Sequence, residues 1–149
     1  MGNKGSMIKK VNFEDIQNVL SQKNRGRVSD AVHSNPSHLL INTLDNNPDA
    51  QSCVLPYTVN YNEEEEIINK YLNNVNDINI IIYGKNCHDI SIYHKYNQLC
   101  DLGFPNVYIY PGGMFEWLLL QDIYSDEHFK TTTQELDILK FKPKSGMYS

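Results

Sequence analysis

The run Gly84-Lys85-Asn86-Cys87-His88-Asp89 gathers the residues of this chain best suited to chemistry. Cys87 carries a thiol that, once ionised, attacks sulfur or phosphorus, and the adjacent His88 can act as base or as a stabilising cation. Lys85 adds positive charge before the thiol; Asp89 opposes it just after. The plainer reading is an incidental cysteine in an exposed polar loop. A second chemical handle lies at the amino end. Met1-Gly2-Asn3-Lys4-Gly5-Ser6 fits the pattern for N-myristoylation of Gly2 once Met1 is removed, while Gly5-Ser6-Met7 fits equally a cloning remnant before a second start. A single myristoyl chain holds a membrane weakly, and Lys4, Lys9 and Lys10 are too few to make a polybasic second signal. Cys53, Cys87 and Cys100 show no zinc-ligand spacing with one another or with the histidines, so neither metal nor cofactor is expected.

These residues need elements to present them. Ile78-Asn79-Ile80-Ile81-Ile82-Tyr83 is a nearly continuous β-branched run, as in a parallel strand buried on both faces, and it delivers the chain directly to Gly84. A helix begins at about Ser91, turns Ile92, Tyr93, Tyr96, Leu99 and Cys100 inward, and ends at Gly103 as a left-handed cap. Val107–Tyr110 forms another strand. Pro111-Gly112-Gly113 then turns the chain into a short apolar helix containing Phe115 and Trp117, both expected in the core. No lysine follows these glycines at P-loop spacing, so they read as turn glycines.

Upstream, Asn12 is expected to cap a helix with Asp15 at its third position, Phe13, Ile16, Val19 and Leu20 sharing one face. Ser21 to His38 reads as a loop, Leu39-Leu40-Ile41 as a short buried strand, and Val54 to Val59 as an extended segment interrupted by Pro56. Asn62 is placed as the cap of a helix with Glu63 to Glu66 in its first turn and an apolar stripe of Ile67, Ile68, Tyr71, Leu72 and Val75. Strands alternating with helices imply a parallel sheet covered on both faces. The expected organisation is a tail over residues 1–8, a domain over 9–122, and an extension over 123–149 that lies on the domain and is disordered after Pro143.

At 149 residues and a formal net charge of −5, the chain fits one domain with one core and lacks the positive footprint that phosphate-backbone binding requires, so no nucleic-acid partner is expected. Scattered cysteines and the lack of a signal peptide or long apolar run point to a reducing cytoplasmic compartment, with peripheral membrane association only through Gly2.

Leu102-Gly103-Phe104, Asn106-Val107-Tyr108-Ile109 and Gly112-Gly113-Met114-Phe115-Glu116-Trp117, in this order after a strand and loop, resemble the second half of a rhodanese-like domain. Leu39-Leu40-Ile41-Asn42 stands where that family has a strand ending in Asp-Val-Arg, and Val54-Leu55-Pro56 through Asn60 loosely echoes its Ile-Pro-Gly-Ala-x-Asn segment. The resemblance covers roughly residues 9–120 and implies an α/β fold with a central parallel sheet of about five strands and helices on both faces. Active members of the family place cysteine directly after the strand, in a loop whose amides cradle an oxyanion, and commonly an arginine late in that loop. Here Gly84 holds the cysteine position, Asp89 lies near the arginine position, and Gly84, Lys85, Asn86, Cys87, His88, Asp89 and Ile90 make up the equivalent loop. A carboxylate there repels thiosulfate, persulfide or phosphate by something on the order of 1 kcal/mol. The resemblance therefore implies an inactive homologue that binds or regulates a protein partner. Two catalytic readings stand beside it: sulfur transfer through a displaced Cys87–His88 pair, and phosphatase chemistry of the related cell-cycle type.

Overall fold

The computed structural model describes residues 7–26 and 37–148. Helix α1 (Phe13–Gly26) precedes strand β1 (Ser37–Asn42), helix α2 (Glu64–Tyr71), strand β2 (Ile78–Tyr83), helix α3 (Ser91–Asp101), strand β3 (Val107–Tyr110) and helix α4 (Gly113–Tyr124). The sheet has the order β1-β2-β3 and both pairings are parallel, with Leu40 beside Ile81 and Ile82 beside Ile109. The most strongly β-branched segment thus lies in the centre.

Among the described residues three strands form where about five are expected. The two missing ones persist as single parallel bridges, Thr58 beside Leu40 on one edge and Lys10 beside Ile109 on the other. Pro56 has no N–H for a ladder and Tyr57 takes a positive φ of 66°, so the 54–59 segment turns away after one contact. At the opposite edge, Val11 N donates to Ile109 O and Ile109 N to Lys9 O before Asn12 starts a helix.

Alternation along each strand divides the core into two layers. Leu40, Ile81, Tyr83 and Tyr110 face α1 and α4, meeting Ile16, Met114 and Trp117. Ile41, Ile80, Ile82, Val107 and Ile109 face the other way, meeting Ile68 of α2 and Ile92 and Leu99 of α3. Both sheet faces are therefore dry. At about 1.5–3 kcal/mol for each fully buried aliphatic side chain, the three consecutive isoleucines of β2 tie the two layers together.

The caps follow local chemistry. Asn12 Oδ1 accepts from Asp15 N and Asp15 Oδ2 accepts from Asn12 N, each at 3.0 Å, a reciprocal box at the start of α1. α1 continues to Gly26, beyond the point where a loop is expected, because Ser21 to Asn24 contains no proline or glycine to stop it. Asn62 does not cap α2. Asn60 Oδ1 accepts from Asn62 N, α2 starts at Glu64, and Val75 falls in a separate 3-10 turn. Gly103, at φ 107°, closes α3 and lets Phe104 N reach Leu99 O while the Phe104 ring packs inward.

Helix α4 runs to Tyr124, and the segment that follows is well anchored. Phe129 and Phe141 are buried against Trp117 and its neighbours. Trp117 Nε1 donates to Lys130 O, Thr132 N to Val54 O, and Gln121 Nε2 to Phe129 O. Past Pro143, where disorder is expected, the chain makes a turn in which Ser145 Oγ accepts from Met147 N and Tyr148 N. Among the described residues no helix is long and apolar enough to cross a membrane.

Candidate functional site

β2 ends at the carboxyl edge of the sheet, where an open parallel sheet presents its loops to ligands. The 84–90 loop begins there, packed between β1 and the start of α4. Gly113, at φ 65°, makes this packing possible: a Cβ on it would lie 2.6 Å from Gly84 O and 2.9 Å from the Lys85 carbonyl carbon. In return, Met114 N donates to Gly84 O (3.0 Å) and Phe115 N to Lys85 O (2.9 Å), so the first amides of α4 satisfy the loop carbonyls.

Gly84 is buried. A Cβ built on it would overlap Asp89 Oδ2 and lie 2.7 Å from Thr43 Oγ1. Asp89 reaches this position by folding back into its own loop. Its Oδ2 accepts from Lys85 N at 3.0 Å, and its Oδ1 accepts from Ser91 N at 3.0 Å and Ser91 Oγ at 2.5 Å. Ser91 is close to Thr43 as well, with 2.7 Å between their hydroxyl oxygens. Asn86, the other inward residue, is buried; its Oδ1 accepts from His88 N and its Nδ2 donates to Phe141 O, both at 2.9 Å. Asp89 N donates to Asn86 O. The amides of Lys85, His88, Asp89 and Ser91 are thus bonded within the protein, and the carboxylate stands where an oxyanion's charge would be sought.

The expected site residues separate into two sets. Gly84, Asn86 and Asp89 turn inward and are held together. Lys85, Cys87, His88 and Ile90 are exposed. The Cys87 thiol and the His88 ring therefore do not lie in the buried centre of the loop, as the displaced-nucleophile reading would need. Gly2 and His33 lie outside the described residues. Of the remaining cysteines, Cys53 is buried with its Sγ 3.3 Å from Thr133 O, and burial pushes the Cys100 thiol up in pKa. Among the described residues no three His, Cys, Asp or Glu side chains gather as metal ligands would.

Sequence reasoning missed two groups. Thr43 and Ser91 brace Asp89, and nothing but their position next to β1 and α3 marks them. The extension also supplies one wall of a cleft of about 530 Å³ beside the loop, bringing Lys140, Lys142 and Lys144 opposite Lys85 and His88. The alternation of lysines at 140, 142 and 144 is the visible signal of that wall. Lys140 donates to Glu135 at 3.0 Å, and this bond holds its ammonium above the usual pKa.

A comparison with curated proteins finds none with significant similarity to the chain. The family model for the rhodanese-like domain matches residues 21–120, from within α1 to within α4, spanning every strand and the entire loop. The chain belongs to the rhodanese-like domain family.

Proposed function

We propose that this protein is a non-catalytic rhodanese-like module whose role is to bind and regulate a protein partner. The observation that carries this reading is the replacement of a nucleophile by an internal carboxylate: Gly84 has no side chain, and Asp89 fills the space and bonds to the loop amide of Lys85. An anionic sulfur or phosphoryl donor entering there would meet negative charge and an amide already in use. Desolvating Asp89 further to admit a second anion would add to that cost.

Sulfur transfer through Cys87 is the competing reading. It has a thiol and a neighbouring imidazole in its favour, but Cys87 is exposed, and His88 N and Asp89 N are both committed to Asn86. Thiosulfate:cyanide sulfurtransferase assays, with intact mass after thiosulfate treatment, separate the two. The non-catalytic reading expects background turnover and an unmodified chain. A sulfur adduct on Cys87 that cyanide discharges would overturn it.

A further inference from the structure

The cleft between the 84–90 loop and the extension is a recess bounded by two segments locked together through the Asn86–Phe141 hydrogen bond. Its charge is opposite to that of the chain. The sequence carries −5 overall, yet Lys85, Lys140, Lys142 and Lys144 line this one recess. Asp89 also lines the recess, but it accepts three hydrogen bonds from the loop and Ser91; Glu135 is paired with Lys140 and Asp49 acts on the same ammonium, so Lys85, Lys142 and Lys144 carry the excess positive charge. Lys85, Lys142 and Lys144 are exposed. Between them stand two large apolar side chains, Ile90 at 66% exposure and Leu139 at 64%. Such a combination of exposed apolar surface with a basic rim marks a recognition surface whose partner is both acidic and partly apolar.

We infer that this cleft docks an acidic peptide segment of a partner protein, glutamate- or aspartate-rich and carrying an apolar residue that packs against Ile90 and Leu139. The inference rests on the non-catalytic reading above and gives that reading its partner chemistry. Other polyanions fit less well. A bilayer surface is flat and does not enter a recess. A nucleic acid would bring a long run of phosphates towards a net-negative chain, and the cleft is lined by no Phe, Tyr or Trp on which its bases could stack. A short acidic segment places its charges only where the lysines are, and electrostatic attraction over about 10 Å at moderate salt guides it there.

Fluorescence anisotropy on the full chain tests this with a labelled peptide of glutamates interrupted by leucine. The expected result is saturable binding that weakens about tenfold when glutamine replaces glutamate, and about tenfold when serine replaces leucine. Lys142→Glu/Lys144→Glu should weaken it about tenfold, while Lys70→Glu/Lys130→Glu, an equal charge change away from this cleft, leaves it within about twofold. Absence of binding, equal affinity for the glutamine peptide, or equal loss in both double variants would overturn the assignment. So would sedimentation with phosphatidylserine vesicles in place of peptide binding, or a dimer abolished by Lys142→Glu/Lys144→Glu, which make the occupant a lipid surface or a second copy. Sulfurtransferase activity is measured on the same samples. Failure of peptide binding without turnover removes the cleft assignment alone; turnover with the expected peptide binding removes the non-catalytic reading alone.

Discussion

The carboxylate of Asp89 occupies the space that a side chain on Gly84 would fill. Each residue therefore requires the other's choice, and the pair has a measurable coupling. Gly84→Ala places a methyl against Asp89 Oδ2 and 2.7 Å from Thr43 Oγ1, at a cost of about 1–3 kcal/mol for overpacking. The smaller opposing gain from stiffening the unfolded chain is about 0.4–1 kcal/mol. Urea denaturation of Gly84→Ala, Asp89→Ala and the double variant should give an interaction energy of about 0.5–3 kcal/mol, the glycine substitution costing less once the carboxylate is gone. Additive losses would mean that the two positions do not share one space.

Restoring the family cysteine alone should not restore activity. In Gly84→Cys the sulfur enters a volume held by Asp89, and Lys85 N remains bonded to that carboxylate. Sulfurtransferase turnover is expected to stay at background in this variant. Turnover in Gly84→Cys would show that Asp89 yields its place readily and that the missing thiol was the sole obstacle.

Asp89 also organises the loop through Lys85 N, Ser91 N and Ser91 Oγ. Asp89→Asn keeps the shape but replaces one acceptor oxygen by an NH2 that faces a donor. With hydrogen bonds to a charged group worth about 1.5–3 kcal/mol, a loss of that order is expected, together with faster hydrogen exchange at the Lys85 and Ser91 amides. Unchanged exchange at both amides would rule out the carboxylate as the group that holds the loop.

How far the sequence reveals this arrangement depends on what kind of interaction fixes each part. β2 is legible because a run of isoleucines has few homes other than a doubly covered parallel strand, and Asn12 with Asp15 because capping is local. Gly84 is legible, from its place after β2, as the residue standing where the family resemblance puts a cysteine. The ladder length at the sheet edges is not, since it turns on one proline and on Tyr57 adopting a positive φ. Nor is the inward rotation of Asp89: a carboxylate in the loop after a strand tells nothing of the Thr43 and Ser91 hydroxyls that brace the site from other elements. The extension shows no periodicity because its anchors, Phe129 and Phe141, are isolated side chains dropped into an existing core.

Two buried tyrosines should make the fold less stable at alkaline pH. Thr58 Oγ1 donates to Leu55 O at 2.7 Å, so the Tyr83 hydroxyl donates to Thr58 and accepts from Leu55 N. Burial raises the Tyr83 pKa; burial and then the bond to Glu116 raise that of Tyr110, whose hydroxyl donates to Glu116 Oε1 at 2.5 Å. A raised folded-state value means that the folded form holds the proton longer than the unfolded form. Stability from this source is complete below the unfolded tyrosine value of about 10 and declines as the pH rises above it. Each tyrosine should add a slope of up to about 1.4 kcal/mol per pH unit there. Denaturation followed across that range checks the sign. Stability that rises or stays level above pH about 10 would contradict the protonated, buried state of both hydroxyls.

Phe141 links the fold to the cleft, and its removal should be felt in both. The ring is buried in the α1–α4 layer, and its carbonyl accepts from Asn86 Nδ2 in the loop. Phe141→Ala leaves a cavity near Trp117 and should cost about 3–5 kcal/mol, a large share of the stability of a domain this size. If the extension were only draped over the surface, the loss would be within about 0.5 kcal/mol, the usual range for surface positions. Asn86→Ala removes the hydrogen bond to Phe141 O together with the acceptor of His88 N, and leaves the hydrophobic anchor in place. It strands one carbonyl and one loop amide, at a cost of about 1–3 kcal/mol for each that stays buried. Urea denaturation of the two single variants and the double variant distinguishes anchoring through the ring from anchoring through the loop. A ring contribution smaller than that of the hydrogen bond would make the loop, and not the core, the principal anchor of the extension.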